Sequence, residues 1–244
     1  MSIYTRLFSG GTQKKQFAVL IDPDKAKLSN LKITAEQATK YGVDLFLVGG
    51  SLLTEDSLKE CITFLNENTD IPVVLFPGNT LQIDKNADAI LFLSLISGRN
   101  PEMLIGRHVI AAPYIKAANL ESIPTGYMLI DNGHATTASY MSNSTPIPHE
   151  KDDIAVCTAM AGDMLGLKLI YMDAGSGADK NIRLSMISKV KNSINIPLII
   201  GGGIRDAQTA VEICNAGADV IVVGNAIEKN IDLIKEIGEA IQGL

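Results

Sequence analysis

The chain has 244 residues, a length that suits one domain and lies close to the roughly 250 residues of a typical (β/α)8 barrel. Hydrophobic residues make up 46% of the sequence, and the net charge of −6 argues against a nucleic-acid partner, because no basic stripe is available to neutralise a phosphate backbone. The three cysteines are odd in number and widely spaced, which predicts reduced core residues and argues against disulfides or a zinc site.

Short apolar runs alternate with amphipathic stretches along the chain, which is typical of an α/β protein. Eight strands are predicted, at Phe17–Asp22, Val43–Val48, Val73–Phe76, Ala89–Leu93, Gly126–Asp131, Leu169–Asp173, Leu198–Gly201 and Val220–Val223. Seven helices are predicted, at Leu31–Tyr41, Ser57–Asn68, Pro101–Ile115, Lys151–Leu165, Ile182–Asn192, Asp206–Ala216 and Glu228–Ile241. The strands are rich in Val, Ile and Leu, as parallel strands buried on both faces are. We therefore predict a single TIM barrel domain over residues 1–244.

The connection between the third and fourth strands is unusually short. It runs from Pro77 to Asp88, whereas a crossover with a helix needs at least about 10–12 residues plus its turns. Either a strand is misplaced or the third helix is missing or reduced to a turn, and we favour the second interpretation. Phe76 and Phe92 would then flank an open side able to admit a long apolar ligand; otherwise they belong to the core.

A second irregular segment, Asn132 to Glu150, is rich in Thr, Ser, Asn and Pro. It follows a strand, so it lies on the face of the barrel where active sites form. Loops of this length without secondary structure are usually functional lids or disordered.

Two carboxylates follow strands directly. Asp22 ends the first strand, where it is either a Mg²⁺ ligand or part of an Asp-Pro-Asp turn, and Ser51 nearby is either a further contact or a helix cap. Asp173 ends the sixth strand, where a carboxylate can accept the hydrogen bond of a substrate hydroxyl or take its proton. Arg205 either reaches a bound phosphate or forms a salt bridge behind its loop, and we favour the salt bridge.

Three strands in the last third of the chain run directly into glycine-rich residues. They lead to Asp173-Ala174-Gly175-Ser176-Gly177, to Gly201-Gly202-Gly203 and to Gly224-Asn225. Glycine lets the backbone approach an anion, and free amides at a helix N-terminus favour negative charge. These loops predict a site for a phosphorylated small molecule at one end of the barrel.

Other catalytic classes find little support. None of the three histidines forms a pair with metal-ligand spacing, and no nucleophile elbow is present. A Schiff-base aldolase needs a lysine inside the barrel, but Lys168 stands at the wrong end of its strand and Lys116 lies beyond its helix.

Taken together, these residues resemble the geranylgeranylglyceryl phosphate synthase family, prenyltransferases that make the first ether bond of isoprenoid glycerolipids. The similar stretches span almost the whole chain: Leu20 to Lys25, Val48 to Ser51, Phe76 to Asn79, Gly126 to Asp131, Tyr140 to Asn143, Tyr171 to Ala178, Ile200 to Arg205 and Val223 to Asn225. The stretch Tyr140 to Asn143 and the long polar loop resemble the second of the family's two groups, found in archaea and some bacteria of the Bacteroidetes type.

The resemblance implies a barrel with a modified third helix, magnesium ligands at Asp22 and Ser51, and catalytic roles for Tyr171 and Asp173. The implied sn-glycerol 1-phosphate site comprises Tyr171, Met172, Asp173, Ala174, Gly175, Ser176, Gly177, Gly202, Gly203, Gly224 and Asn225. The family usually has Glu where this chain has Asp173. Asp keeps the charge but is one methylene shorter, so its reach to the glycerol hydroxyl is reduced.

The resemblance implies that Mg²⁺-dependent transfer joins a polyprenyl diphosphate, geranylgeranyl diphosphate above all, to the sn-3 hydroxyl of sn-glycerol 1-phosphate. Two other interpretations stay open: a phosphosugar-type isomerase and a non-catalytic phosphometabolite-binding protein. The short polar N-terminus and the lack of a long apolar run predict a soluble, cytoplasmic protein. The family forms homo-oligomers, and a lipid substrate implies peripheral membrane contact.

Overall fold

Eight parallel strands close into a barrel in the computed structural model, which describes residues 2–8, 14–55 and 57–244. Each strand pairs with its neighbours in chain order, and the last strand pairs with the first. The strands are β1 Gln16–Ile21, β2 Leu45–Val48, β3 Val73–Leu75, β4 Ala89–Leu95, β5 Glu121–Leu129, β6 Leu169–Asp173, β7 Leu198–Gly201 and β8 Val220–Val223. The predicted TIM barrel is confirmed.

The helices lie between and around these strands. They are α1 Ile3–Phe8, α2 Leu28–Lys40, α3 Leu58–Asn68, α4 Arg107–Ala117, α5 Thr137–Ser142, α6 Asp152–Met164, α7 Leu184–Lys191, α8 Ala207–Asn215, α9 Asn225–Lys229 and α10 Leu233–Ile241. A π-helical segment, Glu102–Gly106, leads into α4. No helix in the described part of the chain has the length and apolar run that crossing a bilayer requires.

The core has two layers because side chains of a strand alternate between its faces. Along β6, Ile170 and Met172 pack in the layer between the strands and the helices, whereas Leu169 and Tyr171 face the barrel interior. Asp173 has the same parity as Tyr171. The alternation therefore directs a tyrosine and a carboxylate to the interior side of the barrel at the carboxyl end of β6.

The helix that would follow β3 in a regular barrel is missing, as predicted. Residues 76–88, between β3 and β4, form only turns and bends. Gln82 is buried there: its side-chain amide donates to the Gly50 carbonyl (2.8 Å), and its side-chain oxygen accepts from the amides of Gly78 (3.1 Å) and Gly50 (3.3 Å). One glutamine thus satisfies backbone groups at the ends of β2 and β3, and the connection from β3 to β4 contributes no helix to the outside of the barrel.

Two predictions about the strands and N-terminus were incomplete. β5 begins at Glu121, five residues before the predicted start at Gly126, and an unpredicted helix, α1, precedes β1. The two features are linked, because the Glu121 carboxylate accepts hydrogen bonds from the amides of Ile3 (2.5 Å) and Tyr4 (2.9 Å) at the start of α1. Glu121 is an acidic residue, so it makes the start of β5 look less like a buried strand in the sequence. The same residue binds the start of α1.

The predicted helix Glu228–Ile241 is in fact two helices, α9 and α10, and the long polar segment contains α5. A capping box starts α5: the Thr136 hydroxyl accepts from the Ser139 amide (3.1 Å), and the Ser139 hydroxyl accepts from the Thr136 amide (3.0 Å).

The prediction that all three cysteines are core residues was wrong in part. Cys61 and Cys214 are buried, but Cys157 is exposed on α6; all three are free.

We expect Gly49→Ala to lower the free energy of unfolding by at least about 2 kcal/mol. Gly49 follows β2 with a φ of +152°, and a Cβ there would overlap the carbonyl oxygen of Phe76. Urea unfolding would measure the loss, with Gly243→Ala as the matched control, because nothing lies within 4 Å of a Cβ at Gly243. Equal stabilities of the two variants would contradict the prediction.

Candidate active site

A cavity of about 870 Å³ opens at the carboxyl ends of the strands, where barrel enzymes place their active sites. The loops after β1, β2, β6, β7 and β8 all contribute to its walls. Most of the site residues predicted from the sequence line it together: Asp22, Ser51, Tyr171, Asp173, Ser176, Gly177, Gly202, Gly203, Gly224 and Asn225.

Three predicted site residues do not line this cavity. The side chains of Met172 and Ala174 are buried between the strands and the helices, because alternation along β6 turns them away from the interior. Gly175 lies beneath Thr136, and its amide donates to Asp173. Side chains at Met172 and Ala174 therefore cannot contact a ligand in the cavity.

Asp173 is buried at the floor of the cavity and carries two hydrogen bonds. One oxygen accepts from the Tyr127 hydroxyl (2.5 Å), and the other accepts from the Gly175 amide (2.7 Å). Burial raises the pKa of the Asp173 carboxyl, and the two hydrogen bonds oppose this shift without cancelling it. A carboxyl group with a raised pKa in a cleft is well suited to proton transfer.

Three aromatic rings pack against one another at this end of the barrel, and one of them, Tyr127, holds the Asp173 carboxyl group. Phe76 stacks on Tyr171, with centroids 5.1 Å apart, and Tyr127 packs edge-on against both rings. Burial raises the pKa of both tyrosines, so their hydroxyl groups remain protonated donors. A Cβ at Gly201 would overlap the Tyr171 hydroxyl, so the glycine leaves room for that ring.

Tyr127 was not among the functional residues predicted from the sequence. It pairs with Tyr171 in the register of β5 and β6, and both rings belong to the interior layer. The strand-end tyrosine was visible in the sequence, but its distance from Asp173 follows only from the pairing of these two strands.

We expect Tyr127→Phe to raise the pKa of Asp173 further. The Tyr127 hydroxyl donates to the carboxylate and so lowers its pKa, and phenylalanine removes that donor while keeping the ring. The carboxyl carbon signal followed by NMR against pH would measure the shift, with Asp173→Asn assigning the signal. An unchanged or lower pKa would show that the bond contributes nothing.

The opposite side of the cavity is made of backbone. Gly177, Gly202 and Gly203 all have positive φ values, between 72° and 81°, which glycine alone adopts easily. Gly224 caps the N-terminus of α9, and Asn225 is the first residue of that helix. Glycine-rich turns and a helix start at one wall provide amide groups suited to a phosphate.

Arg205 stabilises this wall through contacts with the loop after β6. Its guanidinium group donates to the carbonyls of Gly177 (3.3 Å) and Ala178 (2.7 Å) and lies 3.5 Å from the Asp179 carboxylate. The predicted salt bridge is present, but Arg205 and Asp179 both line the cavity, so the pair does not lie behind the loop.

The third wall contains Asp22 and Ser51. One Asp22 oxygen accepts from the Asp24 amide (3.2 Å), and the other lies 2.7 Å from the Lys25 ammonium group. Burial lowers the pKa of Lys25, but the hydrogen bond and charge of Asp22 more than offset this, so the pKa lies above its usual value. The Asp24 carboxylate is already hydrogen-bonded within the protein, since it accepts from the amides of Thr54 (2.5 Å) and Glu55 (3.3 Å). These bonds connect the loop after β1 to the loop after β2.

Within the described residues, no three His, Cys, Asp or Glu side chains cluster as a metal site does. Asp22 and Ser51 are thus a sparse donor set of one carboxylate and one hydroxyl. This set still fits Mg²⁺, which is often bound by one or two carboxylates together with substrate phosphates and water.

A second cavity, of about 160 Å³, continues from the first into the open side of the barrel. The two share Gly50, Ser51, Phe76, Tyr127 and Ala138 in their walls. The remainder of the second cavity, called the apolar groove below, lies between β4 and α4. Among its lining residues are Ile83, Ile90, Leu91, Phe92, Leu93, Leu95, Met103, His108, Ala111 and Ile115.

His108 adds no charge to the apolar groove, in whose lining Arg107 is the charged side chain. Its ring packs edge-on against Phe92, with centroids 4.3 Å apart, and one ring nitrogen lies 3.3 Å from the Ser94 hydroxyl. Burial lowers the pKa of His108, so the neutral ring predominates at neutral pH. Phe76 and Phe92 both line the opening, as their positions in the sequence indicated.

Comparison with known proteins gives a consistent result. The model of the PcrB family matches residues 11–241. The geranylgeranylglyceryl phosphate synthase of Chitinophaga pinensis is 57% identical, over 93% of this chain and 90% of that protein. The geranylgeranylglyceryl phosphate synthase of Spirosoma linguale is 51% identical, over 94% and 92%.

A solved structure agrees in fold over the full length. It is (S)-3-O-geranylgeranylglyceryl phosphate synthase from Thermoplasma acidophilum, in complex with its substrate sn-glycerol-1-phosphate. The TM-score is 0.94 and the sequences are 31% identical, with 100% of each chain covered. The chain therefore belongs to the PcrB family, among the geranylgeranylglyceryl phosphate synthases.

Proposed function

We propose that this chain is a prenyltransferase that joins a polyprenyl group, geranylgeranyl above all, to the sn-3 hydroxyl of sn-glycerol 1-phosphate. The product is an ether, and diphosphate is released. One observation carries the proposal: a polar cavity walled by glycine amides meets the apolar groove at Phe76 and Tyr127. A phosphorylated acceptor and an apolar donor could thus meet at the carboxyl end of the barrel.

The acceptor site is the glycine-walled part of the cavity. The relative from Thermoplasma acidophilum was solved with sn-glycerol-1-phosphate, and we assign the same ligand here. Its phosphate would bind the amides of Ser176, Gly177 and Gly203 and those at the start of α9. Its free hydroxyl would then face Asp173, with Tyr171 orienting the glycerol backbone.

The donor occupies the apolar groove with its tail. Its diphosphate would lie at the shared wall near Ser51, beside Asp22. We assign a bound Mg²⁺ to these two residues; when bound, the ion neutralises charge on the diphosphate leaving group. Magnesium dependence is thus part of the proposal.

The bonds change as follows. The C1–O bond of the donor breaks, and its electron pair stays on the diphosphate. A lone pair of the sn-3 oxygen forms the new C–O bond, and the hydroxyl proton passes to the Asp173 carboxylate. Holding both substrates in one geometry supplies much of the rate.

The two other interpretations gain no support from the structure. A phosphosugar isomerase has no use for the apolar groove. A non-catalytic binding protein agrees less well with curated relatives at 57% and 51% identity that bear the name of a synthase.

We also propose that the enzyme is a cytoplasmic homo-oligomer, with residues 1–244 as one domain, and that it contacts membranes peripherally to obtain its lipid donor. The exposed apolar side chains of Val109, Ile110 and Tyr114 on α4 support an interaction surface beside the groove. Light scattering would measure the oligomeric state, and co-sedimentation with vesicles would measure membrane contact.

The proposed function is tested with sn-glycerol 1-phosphate, Mg²⁺ and a series of polyprenyl diphosphates, with products identified by mass spectrometry. An ether-linked product that disappears with a chelator is the expected result. Binding of sn-glycerol 1-phosphate without product from any donor would contradict transfer.

We expect Ala111→Phe to shift the preferred donor to a shorter chain. Ala111 lines the apolar groove from α4, and a phenyl ring there fills space that the tail would occupy. Competition between donors of different length in one reaction would measure the ratio of products. Ala112→Phe, its exposed neighbour outside the groove lining, serves as the control, and equal ratios in both variants would place the tail elsewhere.

A further inference from the structure

Lys25 holds a position that the proposed reaction leaves unexplained. Its ammonium group lies 2.7 Å from one oxygen of Asp22, and both side chains line the large cavity. The Lys25 side chain is 53% exposed and that of Asp22 is 20% exposed, so an incoming ion can reach the pair without unfolding the loop.

The groups around this pair are mostly acidic. Asp24 and Glu228 also line the cavity, and Glu228 carries a raised pKa because it is half-buried, with the charge of Asp22 adding to this effect. Arg205 and Lys229 are the other cations in this lining; Arg205 is held by carbonyl groups and Asp179, and Lys229 is the last residue of α9. Among these cations, Lys25 is the one in direct contact with Asp22, so it is the cation placed beside a diphosphate that binds there.

We propose that Lys25 is a substrate-binding residue that exchanges partners: it neutralises Asp22 in the empty site and contacts the donor diphosphate once Asp22 binds Mg²⁺. This inference rests on the proposed function, because it needs a diphosphate beside Asp22. A metal ion bound at Asp22 would repel the ammonium group and take the oxygen that now accepts from it. The released ammonium remains in the cavity, three residues along the chain from Asp22.

If Lys25 exchanges partners, it affects the binding of Mg²⁺ and of diphosphate differently, which an ion pair with only a structural role would not do. Lys25 competes with Mg²⁺ when no diphosphate is present, and it assists binding when diphosphate is present. Removal of its charge should change the two affinities in opposite directions.

The test uses isothermal titration calorimetry on the full chain, first with Mg²⁺ alone and then with inorganic diphosphate in the presence of Mg²⁺. Lys25→Met is expected to tighten Mg²⁺ binding and to weaken diphosphate binding about tenfold, the effect of losing one charge-assisted contact. Lys25→Arg should restore diphosphate binding. Lys27→Met, which removes the same charge from an exposed residue outside the cavity, should change neither affinity.

Any result other than opposite changes in Lys25→Met overturns the proposal, including a parallel loss of both affinities. Binding of sn-glycerol 1-phosphate checks that this variant is folded. The measurements need no turnover, so they separate two failures. If the wild-type chain makes no ether but the opposite changes appear, the proposed reaction is wrong and the exchange stands. If the ether forms without opposite changes, the exchange is wrong.

Discussion

Asp173→Asn is expected to lower turnover by about 10²–10⁴-fold, the usual contribution of a general base. The Asp173 carboxyl is buried beside Tyr127 and the Gly175 amide. Asparagine keeps a similar shape: its side-chain oxygen can accept from the Gly175 amide, and its NH2 group donates to the Tyr127 oxygen, which reverses the direction of that hydrogen bond. The main chemical loss in the variant is the ability to take a proton. Single-turnover rates with saturating substrates would measure the change, because they exclude product release.

The same variant is expected to be more stable than the wild type at neutral pH. The folded-state pKa of Asp173 is raised above the unfolded value, so the folded protein holds this proton more tightly. The charged form therefore destabilises the fold: the penalty is absent below the unfolded pKa, near 3.8, and grows as the pH rises through the folded pKa. Asparagine removes this penalty.

Thermal unfolding across a pH series checks this prediction. The stability of Asp173→Asn relative to the wild type should increase as the pH rises from acidic to neutral. Asp131→Asn is the matched control, because Asp131 also follows a strand, accepts the Gly133 amide (2.9 Å) and lies outside the cavity lining. A variant that is less stable at every pH, or that retains full turnover, would contradict the role of Asp173.

The second large effect is expected at Asp22. Asp22→Asn should lower turnover by at least about 10³-fold, since a metal ion contributes several kcal/mol of charge stabilisation and loses its one carboxylate ligand here. Binding of sn-glycerol 1-phosphate should be unchanged, because that ligand is assigned to the loops after β6, β7 and β8. Calorimetry with Mg²⁺ and with sn-glycerol 1-phosphate separately would measure the two affinities.

The control for Asp22 is Asp84→Asn in the β3–β4 connection. Asp84 accepts the amide of Asn86 (2.8 Å) in the same local geometry in which Asp22 accepts the amide of Asp24, yet it lies outside both cavities. Equal turnover in Asp22→Asn and Asp84→Asn would show that Asp22 only stabilises a turn. That was the alternative interpretation of the Asp-Pro-Asp sequence.

The sequence by itself determined the barrel and much of the site, because both depend on local order. Apolar strands predict a parallel sheet, and residues that directly follow parallel strands meet at one end of a barrel wherever the helices lie. This is why Asp22, Asp173 and Gly203 could be placed at one cavity from their positions alone. The short segment from Pro77 to Asp88 likewise determined that one helix was missing, since twelve residues leave too little chain for it.

Tertiary structure alone decided which groups touch. Tyr127 and Asp173 are 46 positions apart, and their 2.5 Å contact exists because β5 and β6 pair in one register. The same holds for Glu121, whose carboxylate binds the start of α1 across 118 positions. Its pairing with Ala89 of β4 makes β5 begin before the predicted start. The local sequence determines which side chains of a strand can be buried. Closure of the barrel determines the register of neighbouring strands, and the register determines the distances between side chains on different strands.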